Sequence, residues 1–109
     1  MSLAQTNSGT QTATIGTTHT LATPTAGKTY VLFIDLTNMT ATDVLDVFLQ
    51  AKVLSTSTMR NVYSLTIAGV QSDPNFMSIP IPAVNGVQFQ IKQTAGTGRS
   101  YDWSVASLD

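Results

Sequence analysis

Between Val87 and Val105 the side chains alternate so regularly that one local fold accommodates them. Val87, Phe89 and Ile91 interleave with Gln88, Gln90 and Lys92, the period of two of a strand with one apolar and one wet face. Thr94-Ala-Gly-Thr-Gly98 follows, and its two glycines can take positive φ without a Cβ penalty, as a tight strand reversal requires. The chain then returns as Arg99-Ser-Tyr-Asp-Trp-Ser-Val105, with Tyr101, Trp103 and Val105 spaced two apart and so on one face. The segment predicts a β-hairpin, the unit of an antiparallel sheet.

The rest of the composition agrees with a β fold. Charged residues make up 10% of the chain, far below the roughly 25% of an average domain. All six acids are aspartates, while 18 threonines and 10 serines supply most of the polarity. Threonine suits a pleated surface, and the helix formers Glu and Lys are scarce. A length of 109 residues gives one domain with one modest core. A net charge of −1 with five scattered cations argues against a nucleic-acid backbone as partner, which needs a positive stripe. The longest apolar runs fall short of a membrane span, and the first residues have neither the basic nor the apolar region of a secretory signal. The absence of cysteine excludes a disulfide scaffold or thiolate metal site. A surface so poor in charge is prone to association, which suggests that partner subunits cover part of it.

Residues 1–16 are rich in Thr, Ser, Gln and Gly, with Leu3, Ala13 and Ile15 as the main apolar punctuation. Such a stretch buries too little to fold by itself. It is expected to be an extended N-terminal arm, ordered by adding to a sheet edge or to a neighbouring chain. Residues 17–109 are expected to form the single β-sandwich domain. Strands are expected at Thr18–Ala22, Thr29–Thr37, Arg60–Val70 with Tyr63, Leu65 and Ile67 inward, and Phe76–Ile81. Both faces of Thr29–Thr37 are apolar, which predicts a central strand covered on both sides. Asp43–Leu54 fits both periods. Its β-branched residues favour a strand, whereas Thr40 or Thr42 could cap a helix carrying Val44, Leu45, Phe48 and Leu49 on one face. Pro80 and Pro82 mark an edge strand or its end. About eight short strands with regular turns predict an all-β, antiparallel sandwich, jelly-roll-like.

Residues able to do chemistry are few and scattered. His19, the one histidine, has no neighbouring acid or cysteine to complete a metal site. No serine sits in a nucleophile-elbow context. Asp43 and Asp46, three apart on a strand, point to opposite faces and cannot work as a carboxylate pair. Asp35 lies within the most apolar strand, where a carboxylate needs a partner. Lys28, Lys52 and Arg99 are candidates, as is a subunit interface. Thr94–Arg99 looks superficially like a phosphate loop but has a strand on each side and no following helix. No catalytic, cofactor-binding or metal-binding residue is therefore assigned, and the chain is expected not to be an enzyme.

The stretch Ser78-Ile-Pro-Ile-Pro82, followed by Val87-Gln-Phe-Gln-Ile-Lys-Gln-Thr-Ala-Gly-Thr-Gly-Arg-Ser-Tyr-Asp-Trp103, resembles small virion proteins of tailed bacteriophages. Thr29–Leu36 and Lys52-Val-Leu-Ser55 extend the likeness, which covers most of residues 29–108. The resemblance implies a capsid-associated β-sandwich, most plausibly a cement or decoration protein. Such a protein would sit on the capsid exterior after assembly in the bacterial cytoplasm, bind major capsid protein subunits and self-associate as a trimer or dimer. Leu3, Ile15, Arg60 and Arg99 are the residues expected to make capsid or subunit contacts. A second reading is a head-fibre or tail-associated module that stacks carbohydrate on Tyr101 and Trp103. The bland alternative for that pair is a core seam.

Overall fold

The computed structural model describes residues 3–108, and these form nine strands and no helix. In chain order they are β1 (Ala4–Thr12), β2 (Thr18–Ala22), β3 (Thr29–Asp35), β4 (Val44–Ala51), β5 (Arg60–Ala68), β6 (Asn75–Met77), β7 (Ile81–Pro82), β8 (Val87–Ala95) and β9 (Ser100–Ser107). One sheet runs β1-β9-β3-β6, with β7 also paired to β3, and the other runs β2-β8-β4-β5. All pairings are antiparallel. The two sheets share one core. Tyr30, Leu32, Ile34, Tyr101 and Val105 come from the first sheet, and Leu45, Val47, Leu49, Val87, Phe89 and Ile91 from the second. Each such side chain contributes about 1.5–3 kcal/mol by leaving water.

The closing hairpin keeps its predicted phase: Val87, Phe89 and Ile91 are buried while Gln88, Gln90 and Lys92 face out. Within Asp43–Leu54, residues Val44–Ala51 form strand β4, paired on both sides by β5 and β8, and the last three residues belong to the following loop. Leu45, Val47 and Leu49 fill the core and Asp46, Phe48 and Gln50 line the outer face. A helix there would have left β5, and one side of β8, without ladder partners.

The N-terminal segment takes the first of its two expected routes, adding to a sheet edge of its own chain, with β1 running antiparallel to β9 from Ala4 opposite Ser107 to Thr12 opposite Ser100. Met1 and Ser2 lie outside the described residues. Three other expectations need revision. The strand expected over Phe76–Ile81 is interrupted. Ser78 turns its hydroxyl inward to accept the Leu32 N–H at 2.9 Å, while its own N–H donates to the Leu32 carbonyl. The break lets both Phe76 and Ile81 reach the core, although an unbroken strand would place them on opposite faces. On β5, Leu65 and Ile67 pack on the core but Tyr63 is half exposed, because no strand lies beyond this edge. β3 is central, yet its outer face is open where Phe33 lies beside the exposed Met77.

The strand directions sort the connections to two ends. The β1–β2, β3–β4, β5–β6 and β8–β9 connections gather at one, here the hairpin end. The β2–β3, β4–β5 and β7–β8 connections gather at the other, with Leu3 and Leu108.

Candidate functional site

At the hairpin end, two connections converge on one buried carboxylate. Asp43 is fully buried at the entrance to β4. Its Oδ2 accepts the Thr40 N–H at 2.8 Å and the Arg99 Nε–H at 2.9 Å, and its Oδ1 accepts the Thr97 N–H at 3.0 Å. The Arg99 guanidinium also reaches the Thr40 hydroxyl. Gln93, next in the inward series of β8, continues the network. Its amide donates to the Thr97 and Ala95 carbonyls, while its Oε1 accepts the Arg99 N–H and the Tyr101 hydroxyl. Burial alone would raise the Asp43 pKa. The Thr40 N–H, the Arg99 guanidinium and the Thr97 N–H outweigh it and hold the group at about 2. Burial, helped by the Asp43 charge, raises Tyr101 to about 12.

The loop that superficially resembles a phosphate cradle thus does point an amide at an anion, and the anion is the chain's own Asp43. Asp35, by contrast, is met by the Thr37 N–H at 2.9 Å and the Thr37 hydroxyl, not by a lysine or arginine. Those bonds lower its pKa. His19 accepts the Thr14 N–H on Nε2 and meets Gln11 through Nδ1, tying β2 to β1 and its turn. These arrangements hold loops in place. Tyr101 is wholly buried with its hydroxyl engaged, so it offers no face to a sugar. Trp103 is half-buried against the core, its indole lying over Gly9. The pair read as a stacking platform is therefore a core seam.

The opposite end is built differently. Its loops are well connected through their backbones. Asn85 Nδ2 donates to the Val53 carbonyl at 2.7 Å, Gly27 N–H to the Ala83 carbonyl at 2.7 Å and Ala83 N–H to the Lys28 carbonyl at 2.8 Å. The turn from Leu54 to Ser57 is closed by Ser57 N–H to the Leu54 carbonyl and by the Ser57 hydroxyl on the Leu54 N–H. Yet these fixed loops leave Val53 84%, Leu54 61% and Val84 76% exposed. Large apolar side chains gathered on ordered loops make this end a candidate interaction surface.

Of the four residues expected to make contacts, Leu3 and Arg60 are exposed at this end. Ile15 is exposed at the hairpin end, where Arg99 is committed to Asp43. The four do not form one patch. Sequence reading missed Val53, Leu54 and Val84 as surface residues because apolar residues in short loops look like strand ends. It missed the Asp43 network too, although Gln93 at an inward position of β8 was a visible signal. Comparisons with protein-family models, curated proteins and solved structures found no match.

Proposed function

We propose that this chain is a non-enzymatic structural protein of a tailed-phage virion, a cement protein that binds across major capsid protein subunits from the outside of the head. We also propose that its sandwich is a jelly roll. Support for the fold comes from the order of pairing: β1 with β9, β2 with β8, β3 with β6 and β7, and β4 with β5. A chain paired this way is one long hairpin, with β4–β5 at its tip, wound into two sheets, the arrangement of a jelly roll. Jelly rolls recur in capsid and lectin domains alike, so the fold suits either reading and function must rest on the surface.

The observation that carries the cement reading is the apolar end formed by Val53, Leu54 and Val84 on hydrogen-bonded loops. Burying those side chains against a shell removes apolar area from water at about 25 cal/mol per Å². It does so without first ordering the loops, which is a major cost of association. A ligand that binds only the assembled shell raises the work of taking it apart. The carbohydrate reading has lost its platform with the burial of Tyr101.

The test uses heads assembled from the major capsid protein of the same phage without this chain. The purified protein should co-sediment with them and raise the temperature at which they rupture. The Val53→Asp/Val84→Asp variant should stay folded and fail to bind. Equal binding by the variant, or no binding by the native chain, overturns the proposal.

A further inference from the structure

We propose that two copies of this chain associate through β5, pairing antiparallel around Leu65 so that two four-stranded sheets become one of eight. The pairing specifies the self-association that the resemblance implies but does not depend on the shell. Its failure and that of the cement reading are measured separately.

Four strands have a free edge, and three of them are unsuited to pairing. β2 has five residues, β6–β7 is broken and flanked by Pro80 and Pro82, and β1 has Ala4 as its one apolar residue and a register shift between Gln5 and Asn7. Short edges, prolines and bulges are the usual devices against edge-to-edge contact. β5 has nine residues, no proline and one charge, Arg60, at its start. A bulge at Val62 sets off the first residues, since Leu49 pairs with Tyr63 and Gln50 with Asn61, and leaves Tyr63–Ala68 regular.

The hydrophobic pattern selects the register. A two-fold axis at Leu65 sets Leu65 against its own copy and Tyr63 against Ile67 on the inner face. On the outer face it sets Ser64 against Thr66, hydroxyl to hydroxyl. Shifting the axis to Ser64 would place Val62 against Thr66 and Asn61 against Ile67. Beneath the joined sheet lies the apolar cleft of about 190 Å³ formed by Tyr63, Leu65, Phe76, Met77 and Ile79. The axis brings the two clefts side by side.

Charge agrees with this orientation. Arg60 starts β5 and Asp73 lies in the connection that follows it, so the two-fold axis brings the Arg60 end of one copy towards the Asp73 end of the other. The one ion pair among the described residues joins Asp43 and Arg99, so both Arg60 and Asp73 are available. The wall is about 30 Å long, at roughly 3.3 Å per strand residue, and the molecule is 18 Å across its short axis. Two such walls bury on the order of 1,000 Å², the lower limit for a specific interface. The dimer is therefore weak and concentration-dependent.

Sedimentation of the purified chain over a concentration series should show a reversible monomer–dimer equilibrium. Arg60→Asp should weaken it about tenfold, and Arg60→Asp/Asp73→Arg should restore it, if each of two symmetric pairs lies within the range of exposed ion pairs. The native chain has no cysteine, so cross-linking can report the register. Ser64→Cys mixed with Thr66→Cys should form a disulfide under mild oxidation, since opposed Cα atoms lie about 4.5–5.5 Å apart. Either variant alone would place its thiols on a diagonal of about 7–8 Å and should cross-link far more slowly. A chain that stays monomeric throughout, or a mixture that cross-links no faster than its components, overturns the proposal.

Discussion

Gly96 and Gly98 occupy the same short loop for different reasons. Gly96 has φ +86°, and a Cβ there would stand 2.0 Å from Asp43 Oδ1. Gly98 has no positive φ, but a Cβ there would stand 2.2 Å from the Ala13 carbonyl oxygen. Ala13 N–H in turn donates to the Arg99 carbonyl. Gly96→Ala combines backbone strain with a collision against a buried carboxylate, and should cost about 3 kcal/mol or more in denaturant unfolding. Gly98→Ala should also destabilise, with the loss traced to the Ala13–Arg99 contact. If both variants unfold like the native chain, the glycines are not set by these contacts.

The pH dependence of stability has a definite sign at this end. Asp43 drops from 3.8 to about 2 on folding, so its contribution is complete above pH 4 and disappears as pH falls through 2. Tyr101 rises from 10.0 to about 12, so its contribution is complete below pH 10 and disappears as pH rises through 12. Unfolding free energies measured across pH should fall in both windows, and Asp43→Asn should flatten the acid one.

Among the elements, β8 was legible in the sequence because it buries one face, and burial writes itself as alternation, whereas β4 was legible only in part, since Val44, Leu45, Phe48 and Leu49 also fit a helical face. β1 was legible as a segment that adds to a sheet edge, but not which edge, nor that the edge belongs to its own chain. Its side chains are mostly exposed, and its partner β9 holds it largely through backbone groups that any sequence carries. The break between β6 and β7 was hidden for a related reason. The Ser78 hydroxyl takes the Leu32 N–H that a regular ladder would give to a carbonyl, and no periodicity records such a replacement. Ser78→Ala keeps the volume nearly unchanged but leaves that buried N–H without its acceptor. It should cost about 1–3 kcal/mol in chemical denaturation, with Leu32 among the amides whose exchange accelerates most. Unchanged protection at Leu32 would mean that the hydroxyl is dispensable.

At the scale of the whole molecule, the two ends are built differently. The hairpin end is tied by a charge-assisted network with Val70 and Ile15 exposed around it, and the other presents Val53, Leu54 and Val84 on hydrogen-bonded loops. The fold class was readable from composition and period. The apolar end was not, because exposure depends on which loops converge, and that depends on pairings between strands far apart in the chain. β1 shows what such long-range pairing contributes. It covers the edge of β9 and sets Gly9 beneath the Trp103 indole. Removing residues 1–12 should turn β9 into an edge strand and open one side of Trp103 to water. The fluorescence of the one tryptophan should shift to the red. The midpoint of thermal unfolding of the isolated chain should fall by at least about 4 °C, the least expected for 1 kcal/mol in a domain of about this size. An arm that orders only against a neighbouring molecule would give the opposite result, because its loss would leave both the emission and the midpoint of the isolated chain unchanged.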